Sequence, residues 1–391
     1  MSISAHIERS LERVLRSERE SAQLFLIDGM PMAGKTTLVK SVFADLAYVD
    51  LNDLYPRNLA HTQPKDFFAV YGKRLVVDGI EKAPKLIDYL PEDESSQIVL
   101  TGYLSLKDRE KLIEKGVIIR TVMPISQREY TSKAAEPLGL SPVALRITYP
   151  QPGFFDILRN GFLPRNDLSQ STSAFYENWL ARFFAEHVRD VLHASKDTLF
   201  FNYMKVLALH NMQELNHSKF AKEAGISYAT AIYWTQFLVD CGVLMEINSM
   251  KLEQRRQVKR SKMTYADTGL LTFLLGCATG EEVFAHPAYE VILSGFVASE
   301  IIKNYAALGR TAPLFFYRDT AHKHVELALQ TPQGWLPIAF LSRKARPVKE
   351  TIRHVDVLIK IGGVTQDIVF ISDGTLTVDS TSYPVLSATA L

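Results

Sequence analysis

Residues 23–40 read QLFLIDGMPMAGKTTLVK, in which Gly29, Gly34, Lys35 and Thr36 fall at the spacing G-x-x-x-x-G-K-T. An apolar run, Leu24–Ile27, enters the loop, and an apolar-periodic segment with Leu38 and Val39 leaves it. A strand, a glycine-bearing turn and a helix start, in that order, form a cradle whose successive backbone N–H groups wrap phosphates at a helix N-terminus. The spacing therefore predicts a P-loop. It binds a nucleotide through Gly29, Met30, Pro31, Met32, Ala33, Gly34, Lys35, Thr36 and Thr37, with Lys35 reaching the outer phosphates and Thr36 the Mg²⁺. Gly29 and Gly34 are expected to be glycine because a side chain would block the phosphates. Lys35 is expected to stand exposed in its loop.

A P-loop also needs an acidic residue on a neighbouring strand to hold the water shell of Mg²⁺. Residues 73–80, KRLVVDGI, supply it: Leu75, Val76 and Val77 predict a buried parallel strand with Asp78 at its C-terminal end. Gly79 follows, where many hydrolytic P-loop ATPases carry Glu, and the nearest carboxylate is Glu81. Two readings stand for Glu81, a solvated loop residue and a displaced catalytic base. A third strand, QIVLT (97–101), ends at Thr101, which is expected to cap backbone. ATP is favoured over GTP because no N-K-x-D guanine signature occurs.

VVDGIEKAP, IVLTGYLSL and VMPISQREY, followed by HVRDV (187–191), KMTYADTGLLTFLLG (262–276), GFVASEIIK (295–303) and FFYRD (315–319), carry a resemblance. In that order they resemble the prokaryotic predicted AAA+-type ATPases with a C-terminal domain of unknown function. The resemblance implies an α/β P-loop (AAA+-like) domain over 1–165, a helical and winged-helix domain over 166–285, and a small α/β restriction-endonuclease-like domain over 286–391. The chain departs from the family pattern at Gly79, Tyr103 and Val117, so the site looks built to bind and poorly built to hydrolyse. Arg120 and Arg128 remain nearby and are expected in structural salt bridges. In the C-terminal region the family's acidic set survives only as Glu300 and Glu326 and its lysine is lost, so cutting of nucleic acid is not expected. His322 and His324 are expected to be surface histidines.

Between these parts, residues 216–247 predict helix, tight turn at Gly225, helix and strand, with Ser218 and Ser227 as caps and Ile226, Ala231, Trp234 and Leu238 inward. From Ala224 to Met250 there is no Lys or Arg, which suits a duplex poorly, since phosphate neutralisation supplies much of the affinity. The run 251–262, KLEQRRQVKRSK, gives the opposite signal, and Arg255, Arg256, Lys259 and Arg260 are candidate non-specific nucleic-acid contacts if the hairpin is more than a solvated basic wing. A basic run at Arg343, Lys344, Arg346 and Lys349 adds to it.

Composition bounds the rest. The 391 residues suffice for two or three domains. Lys plus Arg number 44 against 43 Asp plus Glu, with 47% apolar residues, which excludes a disordered or globally polybasic chain. Cys241 and Cys277 are too few for a disulfide framework, and a cytoplasmic setting fits. No stretch reads as a signal peptide or membrane span. The expectation is an ATP·Mg²⁺-dependent switch or scaffold with weak or absent hydrolysis, acting through self-association or a protein partner. An ordinary ATPase using Glu81 or a partner's residue is the alternative, and a nucleic-acid-binding protein the second.

Overall fold

A computed structural model of the chain describes residues 7–93, 95–135, 153–165, 169–189, 196–251, 260–319, 324–332, 334–341, 369–372 and 385–387. Strands β1 (Leu24–Gly29), β2 (Ala47–Asp50), β3 (Arg74–Asp78), β4 (Gln97–Gly102) and β5 (Ile118–Val122) form an all-parallel sheet in the order β2-β3-β4-β1-β5. A parallel sheet is covered on both faces, so its central strands must be apolar throughout. Phe25, Leu26, Ile27, Leu75, Val76, Val77, Ile98, Val99 and Leu100 are accordingly all buried. Helices α1 (Ser10–Glu18), α2 (Lys35–Val42), α3 (Leu54–Thr62), α4 (Pro64–Tyr71), α5 (Leu106–Glu114) and α6 (Gln127–Tyr130) accompany it. The phosphate loop joins β1 to α2, and β4 stands between β1 and β3, which puts Gly29 and Asp78 at the same C-terminal edge. The order and the loop make this an AAA+-like P-loop α/β fold.

The chain continues through α7 (Phe154–Asn160) and α8 (Thr172–Phe183) into a five-residue π turn, Phe184–Val188. Helices α9 (Asp197–Leu209), α10 (His217–Ala224) and α11 (Tyr228–Asp240) follow, then β6 (Leu244–Ser249) and β7 (Lys262–Tyr265), paired antiparallel. Ser227 caps α11 by accepting from the Thr230 N–H, as expected, whereas α10 is capped by Asn216 and Ser218 lies inside the helix. Ala231, Trp234 and Leu238 are buried as the spacing required, and Ile226 is half-buried.

After α12 (Thr268–Leu274), α13 (Gly280–Ala285) and the long buried α14 (Tyr289–Ala306) come β8 (Leu314–Arg318), β9 (His324–Thr331), β10 (Gly334–Leu341), β11 (Val369–Ser372) and β12 (Val385–Ser387). They join β6 and β7 in one seven-stranded sheet, order β12-β11-β10-β9-β8-β6-β7. The link across it is parallel pairing of Asn248 with Phe315 and Ser249 with Phe316. The sheet thus runs across residue 285. The main apolar core is shared in the same way, from Leu11 of α1 through Phe183 and Trp234 to Ile371 of β11.

Candidate nucleotide-binding site

The loop backbone is set by its neighbours. Gly29 has φ +128, and a Cβ there would lie 2.1 Å from the Val122 carbonyl oxygen of β5. The adjacent strand therefore demands this glycine independently of the phosphate clearance expected from sequence. Gly34, φ +99, meets no described protein atom nearer than the Arg9 guanidinium at 3.8 Å, and its left-handed backbone turns the chain into α2. Met30, Pro31 and Ala33 are buried, Met32 is half-buried with φ 61, and Thr37 is exposed.

Lys35 does not stand exposed. It is half-buried, and its Nζ donates to the carbonyls of Gly29 at 2.8 Å and Met30 at 2.9 Å. Burial lowers its pKa against the attraction of Glu81, Asp78 and Asp28. A bound phosphate would have to draw this ammonium off two carbonyls.

Asp78, at the end of β3, accepts three hydroxyls. Thr36 Oγ1 donates to Oδ2 at 2.7 Å, Tyr48 OH donates to the same oxygen at 2.6 Å, and Thr101 Oγ1 donates to Oδ1. Thr101 thus binds the carboxylate and does not cap backbone, and burial beside Asp78 raises the Tyr48 pKa. A hydroxyl and a carboxylate brought together at a helix start form an oxygen donor set suited to a hard divalent cation. Thr36 and Asp78 would hold Mg²⁺, directly or through its water.

Glu81 is not a solvated loop residue. Gly79 takes the left-handed conformation (φ 85), which starts a 3₁₀ turn, Ile80–Lys82, and swings the Glu81 carboxyl back under the end of β4. A Cβ at Gly102 would fall 2.1 Å from Glu81 Oε2, so β4 must end in glycine to admit it. The side chain is 13% exposed, and burial raises its pKa against the pull of Lys35. Asp28 of β1 is also buried, with a raised pKa, and meets Arg109 Nη1 of α5 at 2.9 Å.

Residues far along the chain cover this edge. Trp179 Nε1 of α8 donates to the Pro31 carbonyl at 3.4 Å. Gly242, just past α11, lies so close to the loop that a Cβ would meet the Met30 nitrogen at 3.0 Å and the Gly29 carbonyl carbon at 3.3 Å. Its neighbour Cys241 is buried, and burial pushes the thiol up to about 12. From the N-terminus, Arg9 donates to the Ala33 carbonyl at 3.1 Å and pairs with Glu129 at 3.3 Å. Below, Lys82 donates to the Glu186 carbonyl, and His187 Nδ1 stands 3.6 Å from Glu81 Oε1. Tyr48, Trp179, His187 and Gly242 carried no local signal, since only the folded sheet and the packing of α8 and α11 bring them here.

The other expected site residues lie elsewhere. Arg255, Arg256 and Lys259 lie outside the described residues, as do Arg343, Lys344, Arg346, Lys349 and His322. Arg260 is exposed and lines a cavity of about 790 Å³ with Lys219, Lys262, Arg318, Glu214 and Glu326. Glu326 pairs with Lys262 at 2.9 Å. Glu300 is buried in α14, paired with Lys303 at 2.8 Å, and accepts the Gln127 N–H at 2.8 Å. The two glutamates retained from the nuclease pattern therefore do not converge. Arg120 pairs with Glu18 as expected, and Arg128 donates to the Ala134 carbonyl at 2.8 Å. The exposed side of α11 presents Tyr228, Ile232 and Tyr233.

The family model described as a domain of unknown function (DUF8612) matches residues 153–281. No curated protein matches the sequence. Among solved structures, a Walker-type ATPase of Pyrococcus abyssi is similar at 11% identity and a TM-score of 0.41, covering 68% of this chain and 94% of that one. The ORC1 protein of Aeropyrum pernix, solved in complex with DNA, is similar at 12% identity and a TM-score of 0.28, covering 70% and 95%. A signal-transduction ATPase with numerous domains and a tetratricopeptide-repeat sensor, from Pyrococcus horikoshii, is similar at 14% identity and a TM-score of 0.26, covering 78% of this chain and 49% of that one. Among the described residues, no helix is long and apolar enough to cross a membrane.

Proposed function

We propose that the chain is an ATP·Mg²⁺-binding switch with weak or absent hydrolysis, in which the nucleotide sets the arrangement of the parts that cover the loop. ATP would be held by the 29–37 loop, with Lys35 on the outer phosphates and Thr36 and Asp78 on Mg²⁺. The parts are an AAA+-like domain (1–165), a helical and winged-helix domain (166–285) and a nuclease-like domain without cutting chemistry (286–391), the last two joined through one sheet. The helices α9 to α11 followed by the β6–β7 hairpin support the winged-helix reading. A cytoplasmic setting and action through self-association or a protein partner belong to the same proposal.

The observation that carries it is the direct seat of Gly242 and Trp179 on the backbone of Gly29, Met30 and Pro31. Any shift of the loop around phosphates must move α8 and α11. Incubation of the purified protein with ATP·Mg²⁺, measured for both bound nucleotide and turnover, tests the reading. Stoichiometric binding that is lost in Lys35→Ala is expected. Unchanged affinity in that variant overturns it, and brisk turnover replaces the switch with an ordinary ATPase.

A second reading, non-specific nucleic-acid binding at the basic hairpin, draws support from the exposed Arg260 at the rim of a cavity whose Lys262 and Arg318 are paired with Glu326 and Glu214. It requires binding that is independent of sequence and gone by about 200 mM salt.

A further inference from the structure

Glu81 is the acid that acts most strongly on Lys35, and its carboxyl is largely buried. Oε2 is buried against Gly102 and accepts no hydrogen bond from the described residues, while Oε1 faces His187 Nδ1 at 3.6 Å. His187 comes from the π turn that follows α8. In that turn the Arg189 N–H bonds back to the Phe184 carbonyl, five residues earlier, which widens the helix by one residue and alters the facing of its side chains. Three further contacts fix the imidazole. Lys82 donates to the carbonyl of Glu186, the residue before it. The Tyr103 ring lies 5.6 Å from the imidazole and the Phe183 ring 5.9 Å. Tyr103 occupies the position after β4 where a water-orienting polar side chain would be useful, and here it packs on the histidine.

We infer that His187 is a positioning residue that arrests Glu81, so that the arrangement of α8 and its π turn decides whether a bound ATP is hydrolysed. This rests on the nucleotide-binding reading above. When the π turn withdraws, Glu81 is free to take a proton from water. The water oxygen then bonds to the γ-phosphorus, the bond from that phosphorus to the β–γ bridging oxygen breaks, and ADP leaves with the electron pair. While His187 holds Glu81 under β4, ATP binds and persists. Weak turnover then follows from a held base, and the Gly79 departure from the Asp-Glu pattern marks a base moved two residues on.

The test uses the full chain and compares wild type, His187→Phe, and His187→Phe combined with Glu81→Gln, in steady-state ATP turnover and ATP·Mg²⁺ binding. Phenylalanine keeps the ring packing on Tyr103 and Phe183 and removes the nitrogen facing Glu81. Turnover should rise at least tenfold, a partial release of the about 10²- to 10⁴-fold that general-base assistance supplies. KM for ATP should stay unchanged, and the gain should vanish in the double variant. If His187→Phe melts early, His187→Ala carries the same expectation. Intact, Lys35-dependent binding with unchanged turnover in the single variant overturns the arrest and leaves the nucleotide reading standing. A gain that survives Glu81→Gln also overturns it. Absence of nucleotide binding in wild type overturns both.

Discussion

Gly242→Ala measures how hard α11 presses on the phosphate loop. Two costs add at this position. Gly242 has φ +71, and the left-handed region costs a residue with Cβ about 1–2 kcal/mol. The new methyl would also stand 3.0 Å from the Met30 nitrogen, 3.3 Å from the Gly29 carbonyl carbon and 3.5 Å from its Cα. All three are backbone atoms that cannot rotate away, and overpacking of that kind costs roughly 1–3 kcal/mol more. Gly225→Ala isolates the first term, because Gly225 has φ +69 in the same helical pair with nothing within 4 Å of its would-be Cβ. At about 2–4 °C per kcal/mol for units of this size, Gly225→Ala should lower Tm by about 2–8 °C. Gly242→Ala should lower it by roughly 4–20 °C on the same scale, and it alone should weaken ATP·Mg²⁺ affinity in a calorimetric titration. Equal Tm losses, or equal affinities, would refute the seat of Gly242 on the loop.

Cys241, with its thiol pushed up to about 12 and buried beside the loop, should resist alkylation at pH 8 until the chain is unfolded; prompt labelling of native protein would contradict the packing. Glu300→Ala leaves Lys303 charged and unpaired beneath Phe162, and should cost about 3–5 kcal/mol in a denaturant titration; a loss below about 1 kcal/mol would count against the buried pair. Asp28 has a raised folded pKa, so its contribution to stability is fully present below its unfolded pKa of about 3.9 and is lost as pH rises through the higher folded value. Asp28→Asn should therefore raise Tm at pH 7 and match wild type near pH 4, and equal Tm at both pH values would remove the burial argument.

The strands β1, β3 and β4 were legible because they are continuous apolar runs, and the loop because its spacing has one known geometry, whereas the outer strands β2 (AYVD) and β5 (IIRTV) are only partly buried and gave no such run. Asp78 could be placed for the same reason, at the end of a run that only a buried strand explains. Glu81 and Lys35 were misread through one cause. A loop residue looks solvated in sequence, but Glu81 is folded back against Gly102 and His187, about 100 residues on, and Lys35 donates to the carbonyls of its own loop. Tyr48 was silent and Thr101 was given a backbone cap for a related reason, since their hydroxyls meet Asp78 only through the order β2-β3-β4. The cap at Asn216 instead of Ser218 is a shift of two residues that propensity cannot resolve, as both types cap well. Glu300 and Glu326 were assigned together by pattern, yet each has its own lysine, and only the folded chain shows that separation.

The pairing of Asn248 and Ser249 with Phe315 and Phe316 ties β6 directly to β8. A cleavage or truncation between those strands would strip β6 of a neighbour and leave a strand edge with unmatched N–H and C=O groups, the template on which chains aggregate. The same join carries rotation of α11 into the C-terminal strands, because β6 follows that helix after three residues. A displacement begun at the phosphate loop would therefore have a short covalent route, through Gly242 and β6, to the far sheet.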